Sequence, residues 1–439
     1  MKNLSITILL LFVPCILPFI NAQEQIRVFK DGSSTRFTNP EILFSEDATT
    51  FAVGDSTYAC AAIDSITVVH TVTVTFDGDQ ASVDLGHAPN VTYTTDGAHV
   101  DILSTNAKNE LEFVLQGQST HGSLTYEGPL KCKFYLNGLN LKSDRGAAID
   151  IQCGKRIDLI LNPGTVNVLE DAANGEQKAA FYCKGHLEVS GSGSLTVTGN
   201  TRHGIATKEY MEIKKSAGTI TVNKAVADAM HIGQYFKMNG GKLNLSGMGT
   251  DGLQVETMTI VNENNDTIPN PDKEDNGMMF IRGGEINIAV SGDRAKGIKV
   301  PGDLTISGCK IGTIVYNEYG GFKTVSEYGI KADADGSRGI QVDGNMLVNQ
   351  DTGTTEIAIQ ANGKICTYEE WGWDDEEGEW GMVKHTSRCM GIKVDGNLTV
   401  NAGVIVSLNK GSGSYAIRVY GQYSKDPAAI VKGSVKTGE

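Results

Sequence analysis

The chain has 439 residues and carries 38 Lys and Arg against 52 Asp and Glu, a formal net charge of −14. That balance excludes simple electrostatic capture of nucleic acid, which calls for a basic surface, and capture of other polyanions unless a cation bridges the two. Gly is frequent at 52 and Pro scarce at 10, which suits many tight turns between short strands.

Residues 1–22 read as a secretory leader, with Lys2 at the positive end, an apolar run from Ile6 to Ile20, and Asn21-Ala22 before Gln23. Pro14 and Pro18 interrupt a run that is short for a membrane span, and Cys15 lacks the small residues of a lipidation site. No second apolar run of spanning length follows, so no transmembrane segment is expected in the mature chain. The expected location is the periplasm, the cell surface or outside the cell.

Residues 23–75 read as a small N-terminal β segment. Gln25 to Phe29 and Ser34 to Phe37 flank an Asp31-Gly32 turn of hairpin type, and Ala62 to Val69 forms another strand. Residues 76–439 read as one array. Strands with two-residue alternation begin with Leu111 to Leu115, Lys131 to Leu136 and Ala148 to Ile151.

A phrase then recurs: small residue, aliphatic, polar residue, aliphatic. It starts at Gly204, Ala229, Gly252, Gly297, Gly339, Gly391 and Ala416, at intervals of 25, 23, 45, 42, 52 and 25 residues. A second phrase follows, as in Gly218 to Val222, Gly241 to Leu245 and Gly284 to Ile288, with a short strand between. Three strands per two dozen residues predict an all-β, right-handed parallel β-helix solenoid. Three insertions, at about 261–276, 316–338 and 362–390, predict loops on one face.

The residue before each phrase places Asp228 over Asp251 on adjacent rungs ~4.8 Å apart, with Asp293 near the same corner. Stacked like charges call for neutralisation, and three carboxylates with turn carbonyls suit Ca2+. The alternative is that each aspartate caps its own turn. The third position of each phrase gives an outward column of Ala206, His231, Gln254, Lys299, Gln341, Lys393 and Arg418. It suits an extended chain of carboxylated sugars, or simply a solvated face.

Trp371, Trp373 and Trp380 fall in one acidic insertion. They are candidates for stacking on sugar rings, or for a self-packed lid. His203 and His231 read as ordinary turn and surface residues. Seven cysteines remain after the leader, without CxxC or His-rich spacing. Cys366 and Cys389 bracket the third insertion and could close it as a disulfide. No nucleophile elbow, P-loop or HExxH is present.

The stretch from about Lys131 to Val419, roughly two-thirds of the chain, resembles a family of calcium-binding, parallel β-helix carbohydrate-binding proteins related in fold to pectate lyases. The resemblance rests on Phe134 to Leu141 followed by Ala147 to Ile151, Gly191 to Asn200 followed by His203 to Ile213, Thr250 to Glu256, Gly283 to Asp293, and Lys296 to Gly308. It implies calcium near Asp228 and Asp251 and an acidic, pectin-like polysaccharide as partner. The motif departs from the family at Ala227 and at Arg294-Ala295-Lys296. Two other readings stay open: a calcium-dependent polysaccharide lyase with Lys299 as base, and a surface adhesion protein with a cell-surface protein partner.

Overall fold

The computed structural model describes residues 25–38, 41–109, 111–351, 353–374 and 378–438. The leader and the acidic residues 375–377 lie outside them. Among the described residues the regular structure is strand, apart from one short helical turn at Cys60–Ala62.

The recurring phrase builds one sheet of 13 strands, in which Ala179–Cys183, His203–Thr207, Met230–Ile232, Leu253–Val255, Lys296–Val300, Arg338–Val342, Met390–Val394 and Tyr415–Val419 follow one another. All of these pairings are parallel and in the register of the repeat: Ile205, Met230, Leu253, Ile298, Ile340, Ile392 and Ile417 form one inward column. The middle strands and the second phrase line the other faces of each rung within a 26-stranded sheet. The molecule is therefore a parallel β-helix. Its interior is a continuous aliphatic column, punctuated by Phe113 stacked on Phe134 at 4.6 Å between centroids. Fully burying each such side chain contributes roughly 1.5–3 kcal/mol.

The small first residue of the phrase has a steric cause. A Cβ added at Gly297 would lie 2.6 Å from the Gly339 carbonyl oxygen, and one at Gly339 would lie 2.5 Å from that of Gly391. Glycine lets neighbouring rungs approach at that corner.

At the N-terminus, Gln25–Lys30 and Ser33–Thr38 form an antiparallel hairpin, and Ile26, Val28, Phe51 and Val53 make a separate small core. Strand Ser65–Asp77 belongs to both parts: Ser65 to Val69 pair with the hairpin, and His70 to Asp77 pair in parallel with Leu111 to Gln118. The join is pinned by Glu112, 1% exposed, whose carboxylate faces Arg27 at 2.9 Å, Arg36 at 2.6 Å and Lys133 at 3.3 Å.

Each insertion contains an antiparallel pairing: Thr259–Val261 with Thr267–Pro269, Lys310–Tyr316 with Phe322–Tyr328, and Cys366–Asp374 with Glu379–Ser387. The second insertion is shorter than its sequence boundaries suggest. Ile330–Ala332 rejoins the rungs beside Ile288 and Ile359, which removes Lys331 from the column that holds Lys299.

Candidate functional site

The polar column runs along the 13-stranded sheet as Ala206, His231, Gln254, Lys299, Gln341, Lys393 and Arg418, and continues to Lys436. It does not project freely, as outward alternation alone implies. His231 is 5% exposed and Arg418 4%, so neither offers an open surface to a polymer. Neighbouring side chains cover them. Arg418 lies 4.4 Å from the Tyr420 ring centroid and 5.8 Å from that of Tyr415. Gln254, Lys299 and Lys393 stay partly open, with Lys393 held at 2.6 Å by Asp395.

A cleft of about 410 Å³ opens where this column meets the preceding corner. Its floor carries His203, Asp228, His231 and Asp251, and its rim Gln254, Glu256, Asp293, Arg294 and Lys299. The base of the third insertion closes one side through Tyr368 and Ser387, and the Arg294 guanidinium lies 3.8 Å from the Tyr368 ring centroid.

Asp228 and Asp251 are neighbours on adjacent rungs, both buried, but their charges are already answered. Asp228 Oδ1 accepts the Thr250 hydroxyl at 2.5 Å and the Asp251 backbone N–H at 3.0 Å. Its Oδ2 lies 2.8 Å from His231 Nδ1 and 3.4 Å from His203 Nδ1. Burial pushes the Asp228 carboxyl up, but the hydrogen bonds from His231 and Thr250 and the charge of His203 outweigh it and hold it down at about 2. Asp251 accepts the Lys296 backbone N–H at 2.8 Å, and the Lys296 and Lys299 ammonium groups stand 3.9 Å and 3.8 Å away. Burial raises the Asp251 carboxyl above its ordinary range, with the Lys296 charge opposing. Asp293 is exposed and accepts the Asp335 backbone N–H at 3.2 Å.

The three aspartates expected to share calcium therefore do not form one oxygen shell. Calcium needs six to eight oxygen ligands. Here the oxygens of Asp228 are taken by hydroxyl, amide and imidazole groups, and Asp251 faces ammonium groups. Calcium does not fit this corner as a resident ion.

Sequence reasoning missed the histidines. His203 precedes its phrase by one residue, just as Asp228 and Asp251 precede theirs, so all three share one column. The His203 and His231 rings stack at 4.3 Å. Burial and the neighbouring His231 hold His203 down at about 3. Burial also lowers His231, but hydrogen bonds to Asp228 and Glu256 reverse this and raise it above the ordinary histidine range. Ala206, directly beside His231 on the preceding rung, was the available signal: a small side chain there leaves room for a ring.

The three tryptophans sit together on the third insertion. In the antiparallel register Trp373 faces Trp380 and Trp371 faces Met382, which puts all four on one side of the hairpin. They are 50–65% exposed, with the Trp373 and Trp380 rings 6.3 Å apart and inclined by 72°. They are not packed as a lid on the coil beneath. Cys366 faces Ser387, while buried Cys389 donates its thiol to the Ala332 carbonyl at 3.4 Å. Both are free thiols, so the third insertion is not closed by a disulfide.

Fold and site thus define a parallel β-helix with a mixed-charge cleft beside an exposed aromatic hairpin. The model of the carbohydrate-binding domain-containing protein family matches residues 96–369, more than half of the chain, and the chain belongs to that family. A carbohydrate-binding domain-containing protein of Acetivibrio thermocellus is 25% identical over 165 residues, 34% of this chain and 52% of the relative. The chain thus spans about half the length of that curated relative. A solved structure of the polysaccharide lyase-like protein from C. thermocellum, a gadolinium derivative, aligns with a TM-score of 0.48 at 21% identity over 64% of this chain and 98% of that one. Among the described residues no helix is long and apolar enough to cross a membrane.

Proposed function

We propose that this is an exported protein that binds carboxylated, pectin-like polysaccharide, with the tryptophan hairpin as its stacking surface and the adjoining cleft as its charge-reading surface. The observation that carries the reading is the co-facial exposure of Trp371, Trp373 and Trp380 on a hairpin whose base lines the cleft. Three large rings left open to water are costly unless something covers them. Sugar rings have apolar C–H faces that match them.

Acidity of the glycan is supported by the cleft's charge. On a chain of net charge −14, the cleft gathers Arg202, Arg294, Lys296, Lys299 and Arg338. Two of its four acids, Asp228 and Asp251, are buried and engaged, so the accessible balance favours an anion. Calcium enters this reading only as a bridge from glycan carboxylates to the exposed rim acids Glu256 and Asp293. Export is supported by the apolar leader at residues 1–22.

Gel retardation tests the reading. Migration of the folded chain through polygalacturonate should slow, and should be restored when the three tryptophans are replaced by alanine. Retardation that persists in the triple variant would sink the proposed surface. Absorbance of unsaturated product near 235 nm, appearing with the wild type and vanishing in Lys299→Ala, would replace binding with lyase chemistry.

A further inference from the structure

The corner that rejects calcium has the donors of a different ion. Among the described residues, His203, Asp228 and His231 are the one group of three or more His, Cys, Asp or Glu whose ligand atoms all lie within 4.8 Å of one another. All three are buried. Two imidazoles beside one carboxylate form a donor set that zinc and its neighbours in the first transition row accept, whereas calcium takes the carboxylate but not the nitrogens.

The spacing suits such an ion. Bonds of 2.0–2.1 Å from a tetrahedral zinc ion put neighbouring ligands about 3.3 Å apart. His203 Nδ1 and Asp228 Oδ2 stand 3.4 Å apart, and His231 Nδ1 is 2.8 Å from the same oxygen. A small outward movement of His231 would replace its hydrogen bond with coordination. His203 Nδ1 accepts the Asp228 backbone N–H at 3.2 Å, so its in-plane electron pair faces this corner, and coordination would take that pair from the amide.

A further observation supports the site. His231 Nε2 lies 3.3 Å from Glu256 Oε2. A carboxylate behind the far nitrogen of a histidine orients that ring and raises its basicity, the usual support for a metal-binding imidazole.

We propose that His203, Asp228 and His231 bind one divalent transition ion of the zinc type, with its fourth position open to the cleft. Three protein ligands plus an open place distinguish zinc sites that take water or another ligand from closed structural ones. The ligands lie on the rungs at the floor of the cleft and not on the tryptophan hairpin, so ion uptake can be read without any glycan.

The test uses the full chain without a histidine tag, stripped with chelator and then titrated with Zn2+ by calorimetry and with Co2+ by visible absorption. The expected result is one Zn2+ per chain, a four-coordinate Co2+ spectrum, and no corresponding heat from Ca2+. His203→Ala and His231→Ala should abolish both signals. Glu256→Gln, at a half-exposed position, should keep the fold and weaken Zn2+ binding by about 10–100-fold. No uptake by the folded wild type overturns the proposal, as does uptake that survives either folded histidine variant. Should those variants fail to fold, Glu256→Gln decides: weakened binding supports the site, and unchanged binding overturns it.

Discussion

Trp371→Ala gives the sharpest quantitative expectation. A tryptophan side chain offers roughly 200 Å², and Trp371 is 65% exposed, which leaves roughly 130 Å² open. A sugar ring laid on one face covers about half of that. At about 25 cal/mol per Å² the lost contact is about 1.6 kcal/mol, a roughly 15-fold weaker Kd. The cross-strand neighbour Met382 is itself 57% exposed, so no core is disturbed. The unfolding free energy should therefore change by no more than about 0.5 kcal/mol. Calorimetry with oligogalacturonides reads the first quantity and thermal melting the second. The reasoning is refuted if Trp371→Ala lowers stability while glycan affinity stays unchanged, because Trp371 is then a packing residue. Trp373 and Trp380 lie close enough to couple, so their double variant should lose less or more than the sum of the singles.

Glu112→Gln should loosen the N-terminal hairpin by about 3 kcal/mol, because three partly buried cations lose a shared counter-charge. Hydrogen exchange should rise across residues 25–63 and remain unchanged in the later rungs. Burial pushes the Glu112 carboxyl up, but the charges of Arg36, Lys133 and Arg27 outweigh it and set it below its ordinary 4.5. The stabilisation is therefore full above pH 4.5 and is lost as pH falls through the lowered value, and exchange measured against pH should show that order. Lys299→Ala should weaken retention on polygalacturonate a few-fold and flatten its salt dependence, read by gel retardation at two ionic strengths. Arg418→Met should leave retention unchanged and the unfolding free energy within about 1 kcal/mol, since a desolvated guanidinium with an unpartnered Nη1 is exchanged for an apolar chain of similar length.

The solenoid was legible because its signal is repeated. One inward aliphatic per phrase and one glycine per corner recur often enough to set the register of seven strands before any coordinates are known. The side-chain environment was less legible. Alternation gives the direction of His231 and Arg418 but not what covers them: Tyr415 and Tyr420 enclose Arg418, and the His203 ring stacks on His231. The calcium reading counted carboxylates in a column and left out the nitrogens beside them. His203, Lys296 and Arg338 stand at the same position of the phrase as Asp228 and Asp251, so a column scanned for every residue type would have shown a mixed-charge corner. Lys331 shows the reverse limit. Its Gly-Ile-Lys context matches that of Lys299, but the hairpin of Lys310–Tyr316 and Phe322–Tyr328 places it on a different sheet.

The most direct measurement compares retention of the wild-type chain in gels cast with polygalacturonate and with the same polymer fully methyl-esterified, which keeps the sugar rings and removes their charge. Stronger retention on the charged polymer, reduced by added salt and by Lys299→Ala, is what recognition of carboxylated sugars predicts. Equal retention on both polymers would make the cleft's cations irrelevant and leave a neutral-sugar binder; no retention on either would remove polysaccharide recognition by this surface altogether.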